Sequence, residues 1–476
     1  MNAHSFVLVS LVLASLVTGC MTRQSNLPEV ANEIPPRWSA ETTNEEANAT
    51  PWARSMGDSA LEELIEEAWA NNPDLSAASR RVDMAREEAV IAGADRLPQA
   101  GLGLSGSQTK RNMIGFNFPG ASKSFTSKSY GLNLNVSWEL DLWGRLRDGR
   151  QAAKVEWQAS TEDYHATRLS LAGQVAKSWY SAIEANRQLA LAEETEQTHS
   201  RNAAYVTKRF ERGLSNALDH NLAQASLASS QAIVTRWKRQ GDLATRTLET
   251  LLGRHPDGNA SLASALPEPT REPMVSPPAQ TLEKRPDMRA ARLRLKAAGL
   301  QTNIARKNLL PALSLTGGPG SRSEEFEDLL DTQFRIWSVT GNLIQPIFQG
   351  GRLRANVRRT KAALLASVDS YKANALKAFR EAETTLAAEN LLREEETHLS
   401  KAAKAAKTAA GLSWDRYQRG LEGIFTTLES SRRAFEAESR LLSLRRDRLL
   451  NRIDLHLALG DEALPIEENV GENDSK

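Results

Sequence analysis

The sequence predicts an α+β chain built from two copies of one strand-and-helix unit, with strands of transmembrane character. Three observations carry that prediction. Five short motifs recur in the same order in the two halves of the chain. Residues 132–142 alternate strictly between apolar and polar side chains. The spans between Pro119 and Pro256 and between Pro346 and Pro465 contain no proline. They are full of Ala, Leu, Glu, Lys, Arg and Gln, the strong helix formers.

The chain has 476 residues and a formal net charge of +1, with both signs mixed throughout. Such a mixture sets up no basic field for nucleic acid. Phe6 to Val17 is an apolar run of signal-peptide length. No other stretch has the roughly 20 apolar residues a spanning helix needs. The run ends in Val17-Thr18-Gly19-Cys20, which resembles the lipobox of bacterial lipoproteins. The resemblance implies a signal peptide over 1–19 and a lipidated segment over 20–58. It also implies covalent diacylglycerol and an acyl chain on Cys20. The segment Met1-Asn2-Ala3-His4 lacks the Lys or Arg usual there. Met21 follows the cysteine where an Asp would favour inner-membrane retention, which points to the outer membrane. Cys20 is the single cysteine, so the chain makes no internal disulfide and no cysteine metal cluster.

The repeat sets the plan. Asn72-Pro73-Asp74-Leu75 recurs as Arg285-Pro286-Asp287-Met288, and Leu97-Pro98 as Leu310-Pro311. Gly144-Arg145-Leu146-Arg147 recurs as Gly351-Arg352-Leu353-Arg354. Arg209-Phe210-Glu211-Arg212-Gly213-Leu214 recurs as Arg416-Tyr417-Gln418-Arg419-Gly420-Leu421, and Leu252-Gly253 as Leu459-Gly460. The offset drifts only from about 213 to about 207, between the Leu-Pro and Gly-Arg markers, so the loop there is expected to be shorter in the second half.

Each copy opens with an Ala- and Arg-rich helical stretch, Ser59 to Arg96 and Thr281 to Leu309, closed by Pro98 and Pro311. A strand pair follows, then a long helix and a return helix separated at Gly213 or Gly420. Gly144 to Arg212 as one helix is roughly 100 Å long at about 1.5 Å per residue. Helices of that length need neighbours along them. The first copy occupies 59–253 and the second 281–460. The Pro-rich linker 254–280 joins them, and 461–476 is an acidic tail, expected to be loose.

Leu132, Leu134, Val136, Trp138, Leu140 and Leu142 are apolar, whereas Asn133, Asn135, Ser137, Glu139 and Asp141 are polar. Eleven such residues make a transmembrane strand, apolar side to lipid and polar side to a watery lumen. Leu102 and Leu104 fit its antiparallel partner. In the second copy Leu313 and Leu315 mark one strand, and Phe334 to Gln345 the other, with poor alternation. Four strands cannot close a barrel, and an open edge is not tolerated in lipid. A spanning chain therefore has to oligomerise, with about eight, twelve or sixteen strands open by counting alone.

At this point the chain resembles the TolC-type outer membrane factors, in particular their lipidated, OprM-like branch. The resemblance covers nearly the whole mature chain. Its carriers are Asn72 to Leu75, Trp138-Glu139-Leu140-Asp141-Leu142-Trp143-Gly144, Pro346-Ile347-Phe348-Gln349-Gly350-Gly351 and the two Arg-Gly-Leu turns. It implies a homotrimer with a twelve-stranded barrel in the outer membrane, four strands per chain, continued by a long periplasmic α-helical barrel. It implies docking on a periplasmic adaptor and an inner-membrane RND-type pump, and efflux of small molecules. By the same resemblance Arg212, Gly213, Leu214, Arg419, Gly420 and Leu421 are adaptor-contact tips. Phe425 becomes an apolar constriction, Glu429 an acidic ring and Arg432 its basic partner. The family more often has Asp where Glu429 stands. In the first copy the matching positions are Leu218 and Leu222, so a gate belongs to the second hairpin.

No enzyme is visible. Gly101-Leu102-Gly103-Leu104-Ser105-Gly106 satisfies the spacing of a dinucleotide loop, but a helix and Pro98 precede it where a strand is required. The His residues are scattered, and no Gly-x-Ser-x-Gly occurs. Asn48-Ala49-Thr50 matches a glycosylation pattern of no consequence in a bacterial-type lipoprotein. The alternatives are a type I protein-export duct and a non-conducting periplasmic helical scaffold, and the latter leaves the alternation at Leu132 to Leu142 unexplained.

Overall fold

The computed structural model describes residues 34–40, 51–112, 124–268 and 275–465. Cys20 and the signal segment lie outside the described residues. The chain divides into two compact units. One comprises 84–158 with 292–370, and the other takes the remaining described residues.

The first unit is organised by a four-stranded antiparallel sheet in the order β1-β2-β3-β4. The strands are β1 (Gln99–Asn112), β2 (Ser124–Leu140), β3 (Ala312–Ser323) and β4 (Arg335–Ile344). Register pairs Leu102 with Leu134 and Leu104 with Leu132. Trp138 sits opposite Leu315, and Leu140 opposite Leu313. Residues directly opposite share a face, so one side collects Leu102, Leu104, Leu132, Leu134, Val136, Trp138, Leu140, Leu313 and Leu315. The other side carries pairs such as Gly101–Asn135, Ser137–Thr316 and Glu139–Ser314.

Two expectations are corrected here. The strand expected over Leu132 to Leu142 begins at Ser124 and stops at Leu140. Leu142 lies in a turn, its amide donating to the Leu140 carbonyl at 2.8 Å. The described strands are 14 and 17 residues long in the first copy and 12 and 10 in the second, and the expected longer loop of the first copy, within 113–123, lies outside the described residues. β4 also alternates over most of its length once its register is known, with Trp337, Val339 and Leu343 on the apolar face and Arg335, Ile336 and Ile344 out of step.

β3 holds Pro319 inside the sheet, where a proline removes a ladder donor. The β2–β3 ladder skips Leu134 and Asn135 while β3–β4 pairing continues. The backbones approach so closely that a Cβ on Gly318 would stand 1.8 Å from the Leu134 carbonyl oxygen. Only glycine fits there.

Four helix segments belong to this unit, from α3 (Pro73–Ala94), α4 (Arg145–Glu211), α7 (Pro286–Lys307) and α8 (Arg352–Gln418). They stand in the row α3-α4-α7-α8, the order of the strands they adjoin. Gly93 of α3 faces Arg150 of α4. Lys307 of α7 meets Asp148 of α4 at 2.5 Å and the Gly144 carbonyl at 3.1 Å. Thr302 of α7 donates to the Thr360 carbonyl of α8 at 3.2 Å, beside Leu295, Leu364 and Val368.

The second unit is helical. It contains α1 (Trp52–Ser55), α2 (Ser59–Asn71), α5 (Ala217–Leu251), α6 (Pro278–Lys284), α9 (Ile424–Leu459) and the other portions of α3, α4 and α8. The single helical stretches expected before each strand pair are each broken in two, at Asn72 and Arg285. Both residues are extended, with ψ of 122° and 121°. Each precedes a proline, whose ring disfavours helical geometry in the residue before it. Asn72 also caps α3 by accepting from the Asp74 and Leu75 amides at 2.9 and 3.1 Å.

The core gathers Trp52, Leu61, Ile65, Val175, Tyr180, Ile183, Leu248, Leu449 and Ile453. The start of the expected loose tail is tied down: Trp52 and Ala53 donate to the carbonyls of Glu462 and Ala463 at 3.0 and 3.2 Å, and Ala463 and Leu464 are buried. The segment 34–40 is held as well. The Trp38 indole donates to the Ser276 carbonyl, and Glu383 accepts from the Ser39 and Ala40 amides at 2.7 and 3.1 Å.

Candidate functional site at the hairpin corners

Within the helical unit α4 turns into α5, and α8 into α9, through matching corners. Gly213 and Gly420 have φ of 70° and 72°, a region that side chains with a Cβ rarely enter. Each corner closes in the same way. The amides of Gly213 and Leu214 donate to Phe210 and Arg209 at 2.9 and 2.8 Å. Those of Gly420 and Leu421 donate to Tyr417 and Arg416 at 3.0 and 2.9 Å. This pair of bonds satisfies carbonyls that a helix end leaves open. The return helices start differently: Asn216 caps α5 by accepting from the Asp219 amide at 2.8 Å, whereas Gly423 gives α9 no side-chain cap.

The two corners share one apolar cluster. Val206, Ala223, Tyr417 and Ile424 are buried, with Tyr205, Leu222, Trp414 and Leu428 packed around them. The Arg209 guanidinium lies over the rings of Tyr417 and Tyr205, at 5.7 and 6.0 Å. The sequence-predicted tip residues point outward: Arg212, Leu214, Arg419 and Leu421 are exposed. Arg419 is paired with Asp415 at 2.8 Å.

Phe425 and Glu429 stand one turn apart on α9, and Phe425 is 70% exposed. Glu429 accepts from Arg432 at 2.8 and 2.9 Å and from Arg433 at 2.8 Å. Arg432 also pairs with Glu436. These hydrogen bonds, Arg432 first and Arg433 second, hold the Glu429 carboxyl down to about 2. Its own helix therefore keeps the Glu429 carboxylate ionised. In the first hairpin Leu218 is exposed like Phe425, but Leu222, at the Glu429 position, packs on the shared cluster.

Sequence reasoning missed the polar seam between α4 and α9. His199 contacts the Ser226 carbonyl through Nδ1 at 3.3 Å and the Ser431 hydroxyl through Nε2 at 3.0 Å, joining three helices. Burial pushes its pKa below the usual histidine value. Gln188 donates to the Ser439 carbonyl at 2.9 Å, and Ser443 to Glu184 at 3.0 Å. Spacing within one helix could not reveal these groups, because each finds its partner far away in sequence. The predicted strand residues Leu132, Leu134, Val136, Trp138 and Leu140 belong to the other unit, where they share a face. Among the described residues no group of His, Cys, Asp and Glu could hold a metal, and no helix is long and apolar enough to cross a membrane.

The profile of the family described as "Outer membrane efflux protein" matches residues 64–254 and 278–461. Outer membrane protein OprJ of Pseudomonas aeruginosa is 30% identical over 458 residues, 95% of each chain. The pyoverdine export outer membrane protein OpmQ of Pseudomonas putida is 30% identical over 465 residues, 94% of this chain and 97% of its own. The open-state structure of the Neisseria gonorrhoeae MtrE outer membrane channel is similar with a TM-score of 0.80 and 27% identity. The match covers 93% of this chain and 98% of that one.

Proposed function

The chain belongs to the outer membrane efflux protein family, and from that premise we propose how its sheet and hairpins make a conduit. It is an outer-membrane channel component of an efflux system, extending into the periplasm, and it is not an enzyme. The fold is the helix-rich, four-stranded one of the solved channels, and such channels work without a cofactor.

The observation that carries the proposal is the sheet: one apolar face, one polar face and two unpaired edges, β1 and β4. In lipid such edges must be paired. Three copies joined β4 to β1 make a closed twelve-stranded ring, within the size range of known barrels. The face bearing Leu132, Leu134, Val136, Trp138 and Leu140 then meets lipid, and the face bearing Asn133, Asn135 and Glu139 lines water. The corners at Arg212-Gly213-Leu214 and Arg419-Gly420-Leu421 receive a periplasmic adaptor, which links the duct to an inner-membrane RND-type pump. Phe425 narrows the duct, and Glu429 with Arg432 sets its charge. Cys20 carries the diacylglycerol and acyl chains that anchor the N-terminus in outer-membrane lipid. The proposed organisation is a signal peptide over 1–19, a lipidated segment over 20–58, a first repeat over 59–253, a linker over 254–280 and a second repeat over 281–460. The cargo is a class of small molecules: the relatives' names span pyoverdine export and cation efflux, so specificity resides in the pump.

The test is sizing of detergent-purified full-length protein, gel migration with and without boiling, and single-channel conductance in planar bilayers. A heat-sensitive trimer that conducts is expected. A monomer without conductance overturns the proposal in favour of a helical scaffold.

A further inference from the structure

Two helix junctions in the helical unit stand at matching places in the repeat. At the first, the Asn72 side chain donates to the Leu251 carbonyl at the end of α5, at 2.9 Å. At the second, Arg285 donates from Nη1 to the Ala458 carbonyl near the end of α9, at 3.1 Å. An amide side chain therefore suffices for this task, since Leu251 and Ala458 are equivalent in the repeat. The second copy puts a guanidinium there instead and gathers charge around it. Arg285 meets Asp287 at 3.0 and 2.8 Å and Glu381 at 2.9 Å. The repeat turns Gln174 into Glu381, Gly173 into Arg380 and Thr247 into Asp454. This charge exceeds what joining two helices requires.

Beside this second junction lies an open cleft of about 540 Å³, the size of a small-molecule site. Leu169 of α4, Leu457 of α9 and Pro286 of α7 give it apolar walls, and Ser170, Arg380 and Thr384 bring polar groups to it. Helix α8 has two sides here. Ala378 packs with Leu282 of α6, and Leu386 with Trp38. Arg380 and Thr384 lie two residues on from the buried Ala378 and Ala382, about 200° around the helix, and are exposed. The acids of the cleft are already matched: Asp287 and Glu381 with Arg285, and Asp454 with Lys177. Arg380 has no ion-pair partner among the described residues, nor does the Thr384 hydroxyl have a hydrogen-bond partner among them. The Ser170 hydroxyl accepts from Gln174 at 3.1 Å, which leaves its own hydrogen to donate. A guanidinium and two hydroxyls thus stand ready to donate, while every carboxylate is in use.

We propose that this cleft binds a small amphipathic monocarboxylate. Its carboxylate sits on Arg380, Ser170 and Thr384, and its apolar body lies against Leu169, Leu457 and Pro286. The planar fork of a guanidinium matches a carboxylate with two parallel hydrogen bonds. A dianion such as a phosphate monoester is disfavoured by Glu381, Asp287 and Asp454 in the same lining, and a cation finds no unpaired acid. The apolar walls exclude a bare inorganic anion as the natural occupant, because they offer it nothing. All of these residues belong to one protomer, so the site is complete in each chain whether or not copies join.

The test is equilibrium dialysis of the full-length protein in phosphatidylcholine nanodiscs, with empty discs as the blank. Three probes share one ring body: 2-naphthoate, the neutral 2-naphthamide and the cationic 2-naphthylmethylammonium. Naphthoate is expected to saturate at one per chain and to bind about tenfold or more tightly than either of the others. Arg380→Gln should weaken naphthoate about tenfold, the scale of a hydrogen bond to a charged group, and leave naphthamide unchanged. Arg380→Lys should recover part of that loss. Leu169→Asn should weaken naphthoate and naphthamide alike. Naphthoate that binds no better than naphthamide, or that binds Arg380→Gln as it binds the wild type, overturns the proposal. Either result leaves the conduit standing, since conductance is read separately on the same preparation.

Discussion

The buried pair Glu389–Arg452 joins α8 to α9, and its loss should be felt by the whole second hairpin. The two groups meet at 2.5 Å with side chains only 8% and 5% exposed. Glu389 also accepts from Asn451 at 3.3 Å. Replacing Glu389 with Ala removes the carboxylate 2.5 Å from a buried guanidinium. Removal of one partner of such a pair costs about 3–5 kcal/mol. The first hairpin shows how the same place is filled without charge, because the repeat puts Ala182 and Thr245 there, both buried. Glu389→Ala and Arg452→Thr should therefore each be strongly destabilising, and the double variant should recover most of the loss. The assay is amide hydrogen exchange on 385–395 and 446–456 in the intact protein, which reads local opening. At 1.36 kcal/mol per decade, each single variant should speed exchange by roughly two to four orders of magnitude. Additive losses in the double variant would refute the reasoning, since they would mean that the two groups act independently.

Two further outcomes follow. Glu429 sits at about 2, below its ordinary 4.5, so its contribution is present above the ordinary value and is lost only as pH falls towards 2. Conductance should therefore show no Glu429-dependent step between pH 7 and 4, and an inflection near pH 4.5 that disappears in Glu429→Gln would sink the local pairing. Gly318→Ala puts a methyl group into backbone, 1.8 Å from the Leu134 carbonyl oxygen. That variant should leave the helical circular dichroism signal intact yet abolish the heat-sensitive oligomer on gels, and an unaffected oligomer would show that the β2–β3 approach is looser than described.

Much of the architecture is legible because its causes are local. Proline-free spans, paired glycines at corners and the alternation at Leu132 to Leu140 each depend on neighbours a few residues away. The breaks at Asn72 and Arg285 were readable too, from the proline that follows each. β4 resisted because its face is defined by its partners: Trp337 and Val339 are recognised as one side only through Pro319 and Gly317 opposite. The corner glycines were plain in the sequence, whereas the ring cluster of Tyr205, Trp414 and Tyr417 that binds the corners spans both copies. His199, Glu184 and Gln188 look like an ordinary polar stripe until α9 lies against them. Glu429 was found by its distance from Gly420, but its grip by Arg433 as well as Arg432 follows from side-chain geometry.

The two copies keep the same backbone devices and diverge in charge, and that pattern has a physical reason. Turns are constrained by geometry alone, so Gly144 and Gly351, Gly213 and Gly420, and Gly253 and Gly460 all keep positive φ. Contacts inside a protomer face known neighbours, whereas the ends of a row must meet a different copy. Two identical halves would not distinguish an internal junction from an external one, and chains could join in the wrong order. Exchange of Asp148 for Ala355, with cations gathered around it, makes the ends chemically distinct at no cost to the turn. A similar exchange sets Leu222 in the shared cluster and Glu429 among arginines. Charge divergence on a conserved backbone thus gives a duplicated chain the asymmetry that a closed ring of copies requires.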